Sequence, residues 1–420
     1  MILNIKEIKM RRIVILILII IPILIFAEEY TLDGLINIGL ENSYSIKQEN
    51  VSYLNAQSNL RSSWIRLLPT TSISAGSSKN YDTDVDWEES ASFHLSKNIS
   101  LNEPSYYDVR TAILNKKNAD LSLESRKKLI AYTVFLKYLS VLESQKNLDI
   151  QKENLILQQK INTQVQVQFE TGDKSALELQ QSKISFIDYE IAVNEAVNSL
   201  KKLRKSLFSY LNIDDEGFDL SNPDIDITIE NAEFKTNYAL QQKENSLRTS
   251  KIILFQQKMN FLPSISMTYS LNHNDPNDIY DFENYIRTSN TLSLNASYNI
   301  FNLLETREQY LQLKRNHKLL EVDLEITKEN YEIDLQILLS DLETMKQTQK
   351  LYADKLELAE KNLLMAQEHY KHGMISLLDL DRSKIEFQNS TISNMSKEFE
   401  LLKKQEEINL FLSNKILGKW

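Results

Sequence analysis

The stretch Leu68-Pro69-Thr70-Thr71-Ser72-Ile73-Ser74-Ala75 decides how this chain is read. A helical pattern runs up to Pro69, which stops it. From Thr70 onward the period changes to two, with Thr71, Ile73 and Ala75 on one side and Thr70, Ser72 and Ser74 on the other. The same transition recurs 194 residues later as Phe261-Leu262-Pro263-Ser264-Ile265-Ser266, Pro263 matching Pro69. Each of these strands is followed by a polar loop and a second alternating run. The first such run carries Ala91, Phe93, Leu95, Ile99 and Leu101, the second Leu292, Leu294, Ala296, Tyr298 and Ile300. Lys97 interrupts the apolar side of the first, as a lysine can at a membrane edge, where it snorkels.

Around the hairpins the chain reads as helix. Thr31 to Leu67 precedes the first hairpin, and a stretch from about Tyr106 to Phe169 without glycine or proline follows it. A helix of that length is roughly 95 Å long. No globular core is that wide, so the spacing predicts a coiled-coil arm. The arm turns at Phe169-Glu170-Thr171-Gly172-Asp173 and returns from Ser175 to about Leu211. The second copy runs from Glu305 to about Tyr370, turns at His372-Gly373, and returns from Leu377 to about Leu412. The offset at the tips is 201 residues, so the second hairpin region carries an insertion of about 7, which a loop absorbs without moving core positions. The expected organisation is a signal peptide over 1–27, a first repeat over 28–211, a linker over 212–231, a second repeat over 232–413 and a tail over 414–420.

Composition agrees with long helices, since 420 residues contain only 7 Gly and 6 Pro. Hydrophobic residues make up 42% and charged residues 25%, too polar for a bundle of membrane-spanning helices. The net charge of −10 argues against a nucleic-acid partner, and the basic run Lys201, Lys202, Arg204, Lys205 reads as a solvated helix face. With no cysteine there is no disulfide, thiolate metal site, cysteine nucleophile or lipid attachment through cysteine. No phosphate loop, serine elbow or catalytic carboxylate pair is present, and no cysteine or matched carboxylate pair completes a zinc set with His369 and His372, so neither enzyme activity nor a cofactor or metal is expected.

Lys6, Lys9, Arg11 and Arg12 precede an apolar run from Ile13 to Phe26, and Ala27 is followed by Glu28 and Glu29. This is the pattern of a signal peptide cut after Ala27, with an uncleaved anchor and a start at Met10 as the alternatives. Four strands of about 9 to 11 residues have membrane length but cannot close a barrel, which needs at least about 8. Several chains must contribute, and three would give twelve strands. Tyr81, Trp87, Tyr106, Tyr107, Tyr280 and Tyr285 flank the strands, where interfacial aromatics are expected. A periplasmic coiled-coil spacer or adhesin is the rival reading.

Taken in order, Tyr30-Thr31-Leu32-Asp33-Gly34-Leu35 with Ile38-Gly39-Leu40-Glu41-Asn42-Ser43, then Leu67-Leu68-Pro69, then Phe169-Glu170-Thr171-Gly172 with Leu177-Glu178-Leu179, and Tyr370-Lys371-His372-Gly373 with Leu377-Leu378-Asp379-Leu380, resemble the outer-membrane efflux proteins typified by TolC. The resemblance implies a mostly α, α+β fold in which long coiled-coil helices form a trimeric α-barrel and two β-hairpins per chain join a twelve-stranded transmembrane β-barrel. It implies a homotrimer in outer-membrane lipid that reaches into the periplasm. Its partners would be a periplasmic adaptor and an inner-membrane pump of RND, ABC or MFS type, serving efflux or type I secretion. Gly172, Leu177, Gly373 and Leu377 would lie where the adaptor docks. Glu178, Tyr370 and Asp379 would form the tip gate or selectivity element, Tyr370 bonding to Glu178. The alternative for the two acids is an ordinary helix start. Ile375 stands where the family often has a basic residue, which puts that part of a closing network in question.

Overall fold

The computed structural model describes residues 31–420 apart from 80, 82–87, 218–219, 221–236 and 274–289. The expected signal peptide, most of the expected linker, and Trp87, Tyr280 and Tyr285 lie outside the described residues.

The elements follow in the order α1 (Leu32–Asn42), α2 (Tyr44–Ile65), β1 (Thr70–Ser78), β2 (Glu88–Asn98), α3 (Pro104–Glu170), α4 (Ala176–Leu211), α5 (Tyr238–Met259), β3 (Ser264–His273), β4 (Asn290–Ser297), α6 (Asn302–Lys371) and α7 (Leu377–Phe411), with a final 3₁₀ turn at Ile416–Gly418. The arms are longer than their pattern suggested, at 67 residues for α3 and 70 for α6, or about 100 Å each. Pro104 opens α3 at a position where its missing N–H costs nothing.

The single helix expected over 31–67 is two. Ser43 adopts extended backbone angles (φ −61°, ψ 120°), and its hydroxyl accepts from the Ile46 N–H, so the same residue ends α1 and caps α2. The break swings α1 onto the middle of the arms. There Leu35 and Ile36 meet Val134, Phe135 and Tyr138 of α3 and Leu211 of α4, all fully buried. This is the largest core among the described residues. Gly39 allows the approach: a Cβ there would lie 3.0 Å from Val134 Cγ2 and 3.1 Å from Leu211 Cδ2.

Residues 414–420 fold onto this same core. Ile416 is fully buried and the Leu417 N–H donates to Glu406 Oε2. Burial raises the Glu406 pKa, while the bonds it accepts from Leu417 and Asn409 oppose the shift. Arg204 of the basic run pairs with Asp215 at 2.5 Å, while Lys201, Lys202 and Lys205 are exposed.

The four strands form one antiparallel sheet in sequence order. Ile73 pairs with Phe93, Thr71 with Leu95, Leu95 with Tyr269 and Tyr269 with Leu292, so the apolar positions of all strands share one face. On the other face hydroxyls bond across strands, Thr70 to Ser96 and Ser74 to Ser92 at 2.6 Å and Ser264 to Ser297 at 2.7 Å. β4 has 8 residues, shorter than expected, because Tyr298 leaves the strand and donates its hydroxyl to the Phe261 carbonyl. Lys97 sits at the helix-proximal end of β2 and donates to the Arg66 carbonyl at 3.4 Å. Tyr107 is not a belt residue: it is buried, with its hydroxyl on the Leu101 carbonyl and its ring against Phe255. Among the described residues no helix is long and apolar enough to cross a membrane.

Laterally the protein is an open strip. Near the sheet the helix order is α2, α3, α5, α6; toward the tips it is α4, α3, α7, α6. The outer members, α2 and α4 on one side and α6 on the other, continue the sheet edges β1 and β4, which among the described residues pair with no further strand.

Candidate functional site

Each arm ends in the same turn. Gly172 (φ +85°) and Gly373 (φ +70°) occupy the left-handed region, which a Cβ disfavours, and no atom crowds either one. The turn satisfies the last carbonyls of the outgoing helix: Asp173 N–H donates to Gln168 O and Met374 N–H to His369 O, both at 2.8 Å.

Three residues further on each returning helix starts with a capping box. Ser175 Oγ accepts from the Glu178 N–H while Glu178 Oε2 accepts from the Ser175 N–H at 2.9 Å. In the second arm Ser376 and Asp379 repeat this, with Ser376 Oγ donating to Asp379 Oδ2 at 2.6 Å. The two acids therefore fill a local structural role, one already legible as Ser175-x-x-Glu178 and Ser376-x-x-Asp379. The bonds from Ser175, reinforced by Lys174, hold the Glu178 carboxyl down at about 2, and those from Ser376 lower Asp379.

The expected direct bond between Tyr370 and Glu178 is absent. Lys174 stands between them instead, its ammonium 2.9 Å from Glu178 Oε1 and 5.2 Å from the centroid of the Tyr370 ring. Its pKa is raised, first by the bond to Glu178. The Tyr370 pKa is raised by burial. Lys174 occupies in the first repeat the position that Ile375 holds in the second, so the basic residue missing from one arm is present in the other. Ile375 itself packs with Tyr370 beside Leu363, Ala366 and Leu380.

The leucines sort by register. Leu177 is 69% exposed, but Leu377 is only 3% exposed and packs with Ile161, Val165 and Leu179, fastening the second arm onto the first. The true counterpart of Leu177 at the 201-residue offset is Leu378, which is 56% exposed. Leu377 is thus a core residue of the tip, and the solvent-facing pair is Leu177 and Leu378. Sequence reading also missed a polar layer behind the tip. Lys384 is buried, its ammonium 3.2 Å from Asp381 Oδ1 and 3.4 Å from Gln158 Oε1, and desolvation lowers its pKa. Its repeat partner Lys183 is exposed, so periodicity alone gave no signal.

His369 and His372 do not join a ligand set. His372 lies 3.8 Å from Glu368, and among the described residues no group of three or more histidine and acidic side chains could hold a metal.

By sequence no protein-family model and no curated protein matches the chain. Solved structures do match it over most of their length. The CmeC outer membrane channel of Campylobacter jejuni aligns with a TM-score of 0.73 at 17% identity, covering 93% of this chain and 87% of that one. The outer membrane protein VceC of Vibrio cholerae gives 0.75 at 13%, covering 92% and 96%. The MtrE outer membrane channel of Neisseria gonorrhoeae, solved in an open state, gives 0.75 at 14%, covering 91% and 89%. Long arms, glycine-turned tips and a four-stranded sheet with two free edges thus make up, in this chain, the fold of these outer-membrane channel structures, which is the fold that the resemblance to TolC implied.

Proposed function

We propose that this chain is one stave of a homotrimeric channel in the outer membrane, exported by the signal peptide over 1–27, that carries substrates from a periplasmic adaptor and an inner-membrane pump to the exterior. The observation that carries this reading is the open strip. Among the described residues neither edge of the sheet pairs with a further strand, and open edges are not tolerated in lipid. A strip whose edges differ closes head to tail into a ring, and three copies supply twelve strands.

The helices support the same closure. On α6 the exposed apolar residues Leu319, Ile326 and Ile333, and further along Leu351, Leu358 and Met365, recur every seven positions. On α4 Ile184, Ile187 and Ile191 follow the same 3-4 spacing. These are coiled-coil seams lacking their partner. The apolar face of the sheet is equally bare, with Ile73 82% and Leu294 74% exposed, as suits strands that face hydrocarbon.

At the tips, Gly172 and Gly373 set the turns, and Leu177 with Leu378 offers an apolar surface to the adaptor. Lys174, Glu178 and Tyr370 form the polar contact between arms from which a gate can be built. Cell fractionation with a transport assay tests the reading: it requires the protein in the outer-membrane fraction and loss of substrate export on deletion. A protein released to the periplasm as a soluble monomer would sink it in favour of a spacer.

A further inference from the structure

Between the first turns of α3 and the last turns of α5 lies a cleft of about 530 Å³. Its floor is apolar, made by Tyr107, Leu114, Ile252 and Phe255, and its rim carries three cations, Arg110, Arg248 and Lys251. In a chain of net charge −10 such a grouping calls for an anionic occupant. Among the described residues no ion pair holds any of the three cations, and the acids near them in sequence, Asp108 and Glu244, are paired with Arg66 and Lys328.

The cleft opens because the two helices are locked farther along. Asn245 donates to Asn118 Oδ1 at 2.7 Å and Gln242 to Ser122 Oγ at 2.8 Å, whereas nearer the sheet Tyr107 and Phe255 meet only at 6.2 Å between ring centroids.

Resting on the channel reading above, its position says which side it faces. Arg110, Ile113 and Leu114 share a face of α3, five turns on, with Lys128, Ala131 and Tyr132. At that level α1 and the C-terminal segment cover the arm: Ala131 belongs to the core they share and Lys128 donates to the Ser413 carbonyl. A tunnel wall one helix thick can be covered this way without blocking the tunnel only from outside. The cleft therefore opens outward. It lies within about 10–15 Å of the helix ends that adjoin the strands.

We infer that this cleft is a binding site for an anionic phospholipid of the membrane leaflet facing the arms, its phosphate on Arg110, Arg248 and Lys251 and its glycerol and upper acyl carbons on the apolar floor. Half-exposed Ile113 and Phe255 border the acyl path.

The test is native mass spectrometry of the purified full chain in non-ionic detergent, titrated with dioleoylphosphatidylglycerol or dioleoylphosphatidylcholine. The wild type retains phosphatidylglycerol about tenfold better. R110Q/R248Q/K251Q loses that preference, both lipids then being retained equally, while Lys117→Gln, on the same exposed face outside the cleft, keeps it. Equal retention of phosphatidylglycerol by wild type and triple variant, or no preference in the wild type, overturns the site. The same spectra report the oligomer. A monomeric mass contradicts the channel reading but leaves the cleft, which lies within one chain, to be judged by its lipid.

Discussion

At Gly172 and Gly373 the constraint is backbone conformation alone, since no atom lies within 4 Å of the missing Cβ. Valine at either position costs about 1–2 kcal/mol in the left-handed region, whereas asparagine tolerates it. Export measured in cells is expected to fail for Gly172→Val and Gly373→Val and to survive for the asparagine variants, with trimers in the membrane throughout. Equal loss for valine and asparagine would mean that the bare surface of the glycine matters, and not its φ. Glu178 makes a second residue-scale prediction. Its folded pKa of about 2 lies below the ordinary 4.5, so its contribution is complete above pH 4.5 and is lost as pH falls through 2. The protection of the amides over 173–179, taken relative to their intrinsic exchange rate at each pH, is expected to fall over that window, and Glu178→Gln to remove the acid step. The capping boxes were written in the sequence as Ser-x-x-acid. Lys174 was passed over because its partners, Glu178 on its own arm and Tyr370 on the other, come together only when the two arms pack.

Among elements, the hairpins, the two long arms and their glycine turns were legible because each rests on local chemistry: a period of two after proline, and an unbroken helical period ended by glycine. What was not legible depends on long-range contact. The break at Ser43 follows from α1 finding a core more than 85 residues away in α3, and the docking of Ile416 follows from the same core. The resemblance points to Leu377 as a docking residue because neighbouring leucines in a helix look alike in sequence. Only the packing of one arm on the other tells Leu377 from Leu378. Gly39 shows how tight the α1 contact is. Gly39→Val places a methyl against Val134 and Leu211 and should cost about 1–3 kcal/mol. Limited proteolysis is expected to cut the 31–43 segment first in this variant. Unchanged resistance would show that α1 docks more loosely than the 3.0 Å approach indicates.

For the whole molecule, the proposed channel covers the two sheet edges and the bare heptad seams with neighbouring copies of the chain, and the apolar sheet face with membrane hydrocarbon. The seam on α6 is the most direct handle, because Leu351 and Leu358 are two-thirds exposed in the single chain and touch no core of their own. Leu351→Glu with Leu358→Glu leaves the fold of one chain intact and is expected to shift the detergent-purified protein from trimer to monomer by light scattering. A trimer that tolerates both charges would place the seam elsewhere. The central claim, that three such staves enclose a continuous water-filled path, is tested most directly by adding the purified trimer to a planar lipid bilayer and recording current under voltage. Discrete conductance steps, lost in the Leu351→Glu/Leu358→Glu variant, are the result expected. A bilayer that stays silent at protein levels where insertion is verified would contradict it.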